Sequence, residues 1–147
     1  MLKEVDWYER AMERLANYRY YIEAIVSLSY EIEAIENELE GVNSSSHFSL
    51  TPPSVTNYFD DKKPRLLDEK KEFESQIKIL ENKKRGVNHA LNCLDEKDRD
   101  ILTIVFIDEV EDGKKAVKDK YYMKDRTYYR RLNEAKDEFS KYYAGAC

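Results

Sequence analysis

The chain has 147 residues and a formal net charge of −5, and 37% of its residues are charged while 41% are hydrophobic. This length suits one ordinary domain or a small domain with a long appendage, and the composition favours helices over sheets. Four glycines and two histidines leave too little material for a phosphate loop or a hydrolytic constellation, so neither an enzyme nor a cofactor is expected.

The sequence also bears on compartment and on metal binding. No run of about eighteen apolar residues is present, so neither a membrane span nor a membrane partner is expected. The N-terminus lacks a basic-then-apolar signal, which predicts a cytoplasmic protein. Cys93 and Cys147 have neither a metal-ligand spacing nor the density of a secreted scaffold, and His47 and His89 are interpreted as isolated. No disulfide and no metal site are therefore expected.

Two long amphipathic helices are predicted, at residues 3–40 and 65–94. Apolar side chains advance along the first mostly in steps of three and four: Val5, Tyr8, Met12, Leu15, Tyr18, Ile22, Ile25, Ile32, Ile35 and Leu39. On the second, one heptad frame contains Leu66, Phe73, Ile77, Leu80, Val87, Leu91 and Leu94, with Lys70 and Lys84 at the remaining seam positions. The preferred interpretation is an intramolecular antiparallel hairpin that also dimerises, although heptads do not distinguish pairing within a chain from pairing between chains.

A linker is predicted for residues 42–64, between the two long helices. It contains all three prolines and most of the serines, and no helix can run through Pro52–Pro53. Gly41 precedes it at the position of a helix C-terminal cap. Val55, Tyr58 and Phe59 are apolar enough for its second half to dock on the helices, and a short helical turn could start there.

Three more helices are predicted to begin at Asp95, Lys114 and Asp125. Asp95 is expected to cap the first of them, with Asp98 as the reciprocal acid of a capping box. A tight turn near Tyr122–Lys124 joins the last two, and this arrangement is typical of a helix-turn-helix.

Positive charge is concentrated in the last two predicted helices. Residues 114–141 contain ten Lys and Arg against five Asp and Glu, so this segment is about +5 and the remainder about −10. Basic side chains interleaved with hydroxyl and phenol groups suit a helix that faces phosphates and base edges together. A solvated helix face with a few packed phenols is the simpler alternative.

Two runs of residues, Asp95–Leu102 (DEKDRDIL) and Lys124–Leu132 (KDRTYYRRL), resemble the DNA-binding fourth region of sigma factors. There, a capped L-x-x-x-x-R-x-x-L helix precedes a helix of the form S-x-x-T-V-Y-R-R-L. The layout of the whole chain is similar to that of late-gene transcriptional regulators of Gram-positive phages, the ArpU and RinA type, which also carry a motif such as SVTNY (Ser54–Tyr58) before the second long helix.

The resemblance implies an activator of phage late genes that binds double-stranded DNA in the cytoplasm of a bacterial host. By position it places at the DNA surface Arg126, Thr127, Tyr128, Arg130 and Arg131, with Lys124 at the entrance. On grounds of charge and hydrogen-bonding chemistry, phosphate contacts are expected from Lys114, Lys115, Lys120 and Lys124. Contacts to guanine edges are expected from Arg126, Arg130 or Arg131. Lys118 and Tyr122 depart from the sigma-like pattern, so a wider turn or a left-handed Tyr122 is expected.

The sequence thus predicts an all-α protein with a coiled-coil-like hairpin for oligomerisation at residues 1–94 and a sigma-like helix-turn-helix domain at 95–147. The expected function is sequence-specific DNA binding by a homo-oligomer that activates transcription. Replacing both Arg130 and Arg131 by alanine is therefore predicted to remove specific DNA binding while leaving helicity and the melting temperature largely unchanged. A small terminase subunit is an alternative, although its helix-turn-helix usually precedes the oligomerisation helices. A protein–protein interaction module is another. The acidic helix faces could repel DNA or contact RNA polymerase.

Overall fold

A computed structural model describes residues 4–47, 53–108 and 110–147, and these ranges are helical with no strand. The helices are α1 (Trp7–Ala16), α2 (Tyr18–His47), α3 (Pro53–Cys93), α4 (Glu96–Leu102), α5 (Gly113–Tyr121) and α6 (Asp125–Lys141), and π-helical segments follow α4 (Thr103–Ile107) and α6 (Tyr142–Ala146). The all-α prediction, with a long helical segment followed by a helical bundle, is confirmed. Within the described ranges, no helix is both long enough and apolar enough to cross a membrane.

The predicted single helix over residues 3–40 is wrong, because it breaks at Asn17. The Asn17 side chain donates to the Glu13 carbonyl oxygen at 2.9 Å, and its backbone N–H donates to the same oxygen at 3.1 Å. Asparagine side chains compete in this way with the helical hydrogen-bond ladder. The predicted apolar stripe is also only partly buried, because Tyr8 and Ile22 are exposed while Ala11, outside the stripe, is fully buried.

The predicted linker is also wrong over much of its length. Helix α2 continues past Gly41 to His47, and α3 starts at Pro53, twelve residues before the predicted start at Arg65. Pro53 is at the first helical position, where proline's missing N–H costs no hydrogen bond, and Pro64 is tolerated inside the helix. Residues 48–52 and the side chains of Val55, Tyr58 and Phe59 lie outside those described.

The chain forms two compact units, named here the core unit (Met1–Tyr21 with Asn82–Cys147) and the hairpin unit (Ile22–Glu81). The core unit therefore includes α1 and the end of α3, which the sequence analysis grouped with the hairpin. The assignment of oligomerisation to residues 1–94 and of DNA binding to 95–147 stays a prediction.

Within the hairpin unit, α2 and α3 run antiparallel in one chain. Lys70 pairs with Glu36 at 3.3 Å and Lys62 with Glu38 at 3.9 Å. The earlier lysine of α3 thus pairs with the later glutamate of α2, as expected for antiparallel helices. The first of these pairs explains why Lys70 can occupy a seam position of the heptad frame, since its ammonium reaches a carboxylate of the facing helix. The pairing within one chain agrees with the preferred interpretation of the heptads.

The core unit buries one apolar cluster drawn from α1, α3, α4, α5 and α6. Its buried members are Ala11, Leu15, Val87, Ala90, Leu91, Leu94, Ile101, Leu102, Val117, Tyr128, Leu132, Ala135 and Phe139. Gly113 begins α5 where a Cβ would lie 3.3 Å from Cα of Val105, so a larger residue would have to displace the neighbouring backbone by a few tenths of an ångström. The cluster sets the positions of the last three helices.

The first alanine test concerns α1 as a part of this core. Replacing fully buried Leu15 by alanine is expected to lower the free energy of unfolding by about 2–5 kcal/mol, because lost apolar burial and a cavity add. Urea denaturation followed by Trp7 fluorescence measures it, since the Trp7 and Tyr143 ring centroids lie 6.5 Å apart within this unit. The matched control is Leu67→Ala, at a side chain 39% exposed. Equal effects of the two substitutions would contradict the placement of α1.

Candidate nucleic-acid interface

The helix-turn-helix is built as the sequence predicts, from α4 with its π-helical extension, α5 and α6. Asp95 caps α4 by accepting from the backbone N–H of Asp98 at 2.8 Å. Residues 122–124 connect α5 to α6, and Tyr122 adopts the left-handed conformation with φ of 53°. The backbone N–H of Met123 closes the turn by donating to the Lys118 carbonyl oxygen at 2.9 Å. The left-handed alternative for Tyr122 is thus confirmed.

Arg99 holds the start of this motif against the end of α3. Its guanidinium donates to the carbonyl oxygens of Leu91 at 3.0 Å and Leu94 at 3.1 Å. Helix C-termini present unpaired carbonyl oxygens and a partial negative charge, so an arginine satisfies both needs. The arginine of the sigma-like L-x-x-x-x-R-x-x-L pattern is therefore structural in this chain.

The buried stripe of α6 decides which side chains face outward. Tyr128, Leu132, Ala135 and Phe139, spaced by four, three and four residues, are all buried. The prediction that Tyr128 lies at a DNA surface is therefore wrong, because its ring is 3% exposed and packed in the core. The spacing of this stripe is visible in the sequence, and it indicates that Tyr128 lies on the buried face of α6.

Arg131 does not reach the outward face, because it pairs with two carboxylates at the start of α4. Its Nε donates to Asp98 Oδ1 at 2.8 Å, and its Nη2 donates to Asp95 Oδ2 at 3.4 Å. Burial raises the pKa of Asp98, and the charge of Arg131 opposes that shift. Asp98 was predicted to complete a capping box, and it binds this arginine instead. The placement of Arg131 at a DNA surface stays a prediction, because its side chain is partly exposed but held by this ion pair.

Lys114, one of the predicted phosphate contacts, is engaged with other side chains. Lys114 donates to Asp125 at 3.4 Å and to the Tyr129 hydroxyl at 3.0 Å, while Lys118 also pairs with Asp125. The hydrogen bond from Lys118 and the charge of Lys114 lower the pKa of Asp125. These contacts hold the start of α5 against the start of α6. Two of the three N–H donors of Lys114 are therefore already engaged within the protein.

Lys120 is likewise engaged, at a junction between α4 and α5. Asp100 Oδ2 accepts hydrogen bonds from Lys120 Nζ at 2.6 Å and from the Tyr121 hydroxyl. The hydrogen bond to Asp100 raises the pKa of Tyr121 to about 12. Burial opposes ionisation of Asp100, but the bonds from Lys120 and Tyr121 outweigh it and lower the pKa of that carboxyl.

The outward face of the first turns of α6 includes the exposed side chains Arg126, Tyr129, Arg130 and Asn133, and the exposed acids Glu134 and Asp137 follow further along the helix. Offsets of three, four and seven residues place the first four on one side of a helix. Lys115 and Lys124 are exposed nearby along the chain, and Thr127 is half-buried. Tyr129 and Asn133 were missed as site residues, although their offsets from Arg126 and Arg130 indicate the shared face.

A comparison with family models shows what the chain is related to. Residues 55–140, which span α3 to most of α6, match the model described as "Protein of unknown function (DUF1492)". The chain belongs to the DUF1492 family. This family is associated with phages. Searches of curated proteins and of solved structures each found no match.

The neighbouring arginines 130 and 131 are expected to differ in their effect on stability. Arg131→Ala leaves the buried Asp98 carboxylate without its cation, so the free energy of unfolding should fall by about 1–3 kcal/mol. Arg130→Ala, at an exposed site, should change it by less than about 0.5 kcal/mol. Urea denaturation of both variants at neutral pH measures the difference. A full-stability Arg131→Ala protein would show that this ion pair does not hold α6.

Proposed function

We propose that this DUF1492 chain is a sequence-specific double-stranded DNA-binding transcription regulator that inserts α6 into the major groove. The observation that carries the proposal is the outward face of α6, where Arg126 and Arg130 are exposed one turn apart on a helix-turn-helix. A second helix of this motif presents its first turns to base edges in the major groove. Both arginines lie in the first two turns of α6.

The chemistry of this face suits base recognition. Arginine binds O6 and N7 of guanine through two hydrogen bonds, and asparagine binds N6 and N7 of adenine in the same manner. Arg126 and Arg130 would take the first role and Asn133 the second. Tyr129 adds an exposed phenol between them that offers a hydroxyl to a phosphate and an apolar ring to a thymine methyl group.

Phosphate contacts would come from the flanks of the same helix. Lys115 and Lys124 are exposed, and the first turn of α6 has no side-chain cap on its N–H groups. Free helix N-terminal amides and nearby ammonium groups attract phosphate oxygens. The ion pairs of Asp125 with Lys114 and Lys118 neutralise the acidic residue at that helix start.

Oligomerisation is proposed to occur through the hairpin unit, with a second copy of the chain. Ile22, Val26 and Tyr30, at four-residue spacing along α2, are 37%, 47% and 67% exposed. Side chains at this spacing form one apolar stripe on a helix, and such stripes mark interaction surfaces. A dimer doubles the phosphate contacts and sets the spacing of DNA half-sites.

The finer assignment is to activation of phage late genes, as in the ArpU and RinA regulators that the sequence resembles. The phage association of the DUF1492 family supports this setting. The placement of the helix-turn-helix after the long helices favours a regulator over a small terminase subunit.

The DNA test compares the double variant Arg126→Ala/Arg130→Ala with the wild-type chain on DNA obtained by random-site selection. Each lost bidentate arginine removes about 1–3 kcal/mol of discrimination, so affinity for the selected site should fall about tenfold or more per arginine. Fluorescence anisotropy at two salt concentrations measures affinity and its salt dependence, and circular dichroism checks that the variant stays folded.

The matched control is Lys71→Ala/Lys78→Ala, which removes the same charge from exposed positions of α3 in the hairpin unit. It should keep both affinity and sequence preference. If the folded arginine variant selects the same sequence with unchanged affinity, α6 is not the reading helix. If the wild-type chain binds no DNA at either salt concentration, the proposed function is wrong.

The oligomerisation test places a charge on the apolar stripe. Val26→Glu should weaken self-association at least about tenfold, because a carboxylate buried in an apolar interface lacks a partner. Light scattering over a concentration series measures the mass, and Ser27→Glu, exposed and off the stripe, is the control. An unchanged mass for Val26→Glu, or equal dissociation by the control, would show that this stripe is not the interface.

A further inference from the structure

Three potential metal ligands come together in the core unit, on a face that the proposed function does not use. The ligand atoms of His89, Cys93 and Cys147 all lie within 4.8 Å of one another. The two cysteines form a disulfide, with Cα atoms 6.1 Å apart, and Cys93 Sγ lies 3.9 Å from His89 Nε2. The predictions that the cysteines form no disulfide and that His89 has no cysteine partner are both wrong.

Helix geometry explains the first two members of this cluster. His89 and Cys93 are four residues apart on α3, so their side chains share one face a single turn apart. The four-residue spacing of His89 and Cys93 is visible in the sequence. The third member lies 54 residues further on, and no local pattern relates it to the other two.

The end of the chain is brought to α3 by specific contacts. The Tyr143 ring packs over Gly86, where an added Cβ would lie 3.2 Å from Cε2, and it stacks on Phe139 with ring centroids 6.1 Å apart. Gly145 then adopts φ of 112°, a conformation that other residues rarely take. This turn directs Cys147 to Cys93. Packing of Tyr143 on Gly86 and Phe139 therefore contributes to the position of the cluster in addition to the sulfur–sulfur bond.

Two thiolates and an imidazole are the ligands that Zn²⁺ prefers in proteins. The disulfide offers no thiolate, so it excludes the metal. A dithiol reductant would supply two electrons and two protons, breaking the sulfur–sulfur bond and giving two thiols while the reductant itself becomes a disulfide. Zn²⁺ would then displace the two thiol protons to solvent on binding.

We propose that His89, Cys93 and Cys147 form a three-ligand Zn²⁺ site in the reduced chain, and that the disulfide is the oxidised state of the same site. The ligands are His89 Nε2 and the two Sγ atoms. His89 and Cys147 are exposed, so the fourth tetrahedral position is open to water. Either state links the end of α3 to the segment that follows α6.

Cobalt substitution tests the site in the full chain. The protein is reduced with a phosphine and titrated with Co²⁺ and then with Zn²⁺ under anaerobic conditions. One equivalent of Co²⁺ should give the thiolate charge-transfer and d–d bands of a tetrahedral site, and Zn²⁺ should abolish them. The oxidised chain should give no such bands. Absence of the bands in the reduced chain, or equal bands in the oxidised chain, would overturn the proposal.

Substitutions separate a metal site from a simple cysteine pair. His89→Ala should retain the disulfide under oxidation but weaken Co²⁺ binding about tenfold or more, because one of three ligands is lost. Asn92→Ala, exposed on the same stretch of α3, is the control and should bind as wild type. Cys147→Ser should lose both the disulfide and tight metal binding. Wild-type affinity in His89→Ala would show that the imidazole is not a ligand.

Thermal melting gives a second measurement that is independent of colour. Zn²⁺ should raise the melting temperature of the reduced wild-type chain, because a ligand that binds only the folded state stabilises it. It should not raise that of reduced Cys147→Ser. DNA binding by α6 is measured separately, so failure of the metal site would leave the proposed function untouched.

Discussion

The rotation of α6 about its own axis is the constraint on which the proposed interface depends. On one side the buried stripe that begins with Tyr128 enters the core, and beside it Arg131 pairs with Asp98 of α4. These contacts hold two adjacent sides of α6, so the opposite side of the helix faces outward. Because these contacts occupy Tyr128 and Arg131, Arg126 and Arg130 are left facing solvent. In the proposed interface, the ion pair would act indirectly, by orienting Arg126 and Arg130.

Charge in the C-terminal segment is divided between structural and free groups. Lys114 and Lys118 are held by Asp125, Lys120 by Asp100, and Arg131 by Asp98. A count of basic residues therefore overstates the cations available to a polyanion. The exposed remainder is concentrated at the first turns of α6 and at Lys115, where a helix-turn-helix meets a phosphate backbone.

Helix-level organisation could be predicted because its signals are local. The cap of α4 at Asp95 and the turn at Tyr122 that ends α5 depend on capping and turn chemistry within a few residues. The break at Asn17 and the helical start at Pro53 were missed because apolar spacing was given more weight than a side-chain hydrogen bond or a proline at the first helical position. The spacing of Tyr128 with Leu132 and of His89 with Cys93 was also present, but was not used.

The amino-acid sequence by itself determined the all-α class, the antiparallel tendency of the two long helices and the helix-turn-helix with its positive charge, since periodicity, caps and composition are properties of short segments. Only the tertiary structure decided that α1 belongs to the core unit, that Arg131 is an ion-pair partner and that Cys147 lies against Cys93. These outcomes join residues 33 or more positions apart in the chain. Such contacts depend on how the helices pack, and packing is set by the whole core rather than by any one segment.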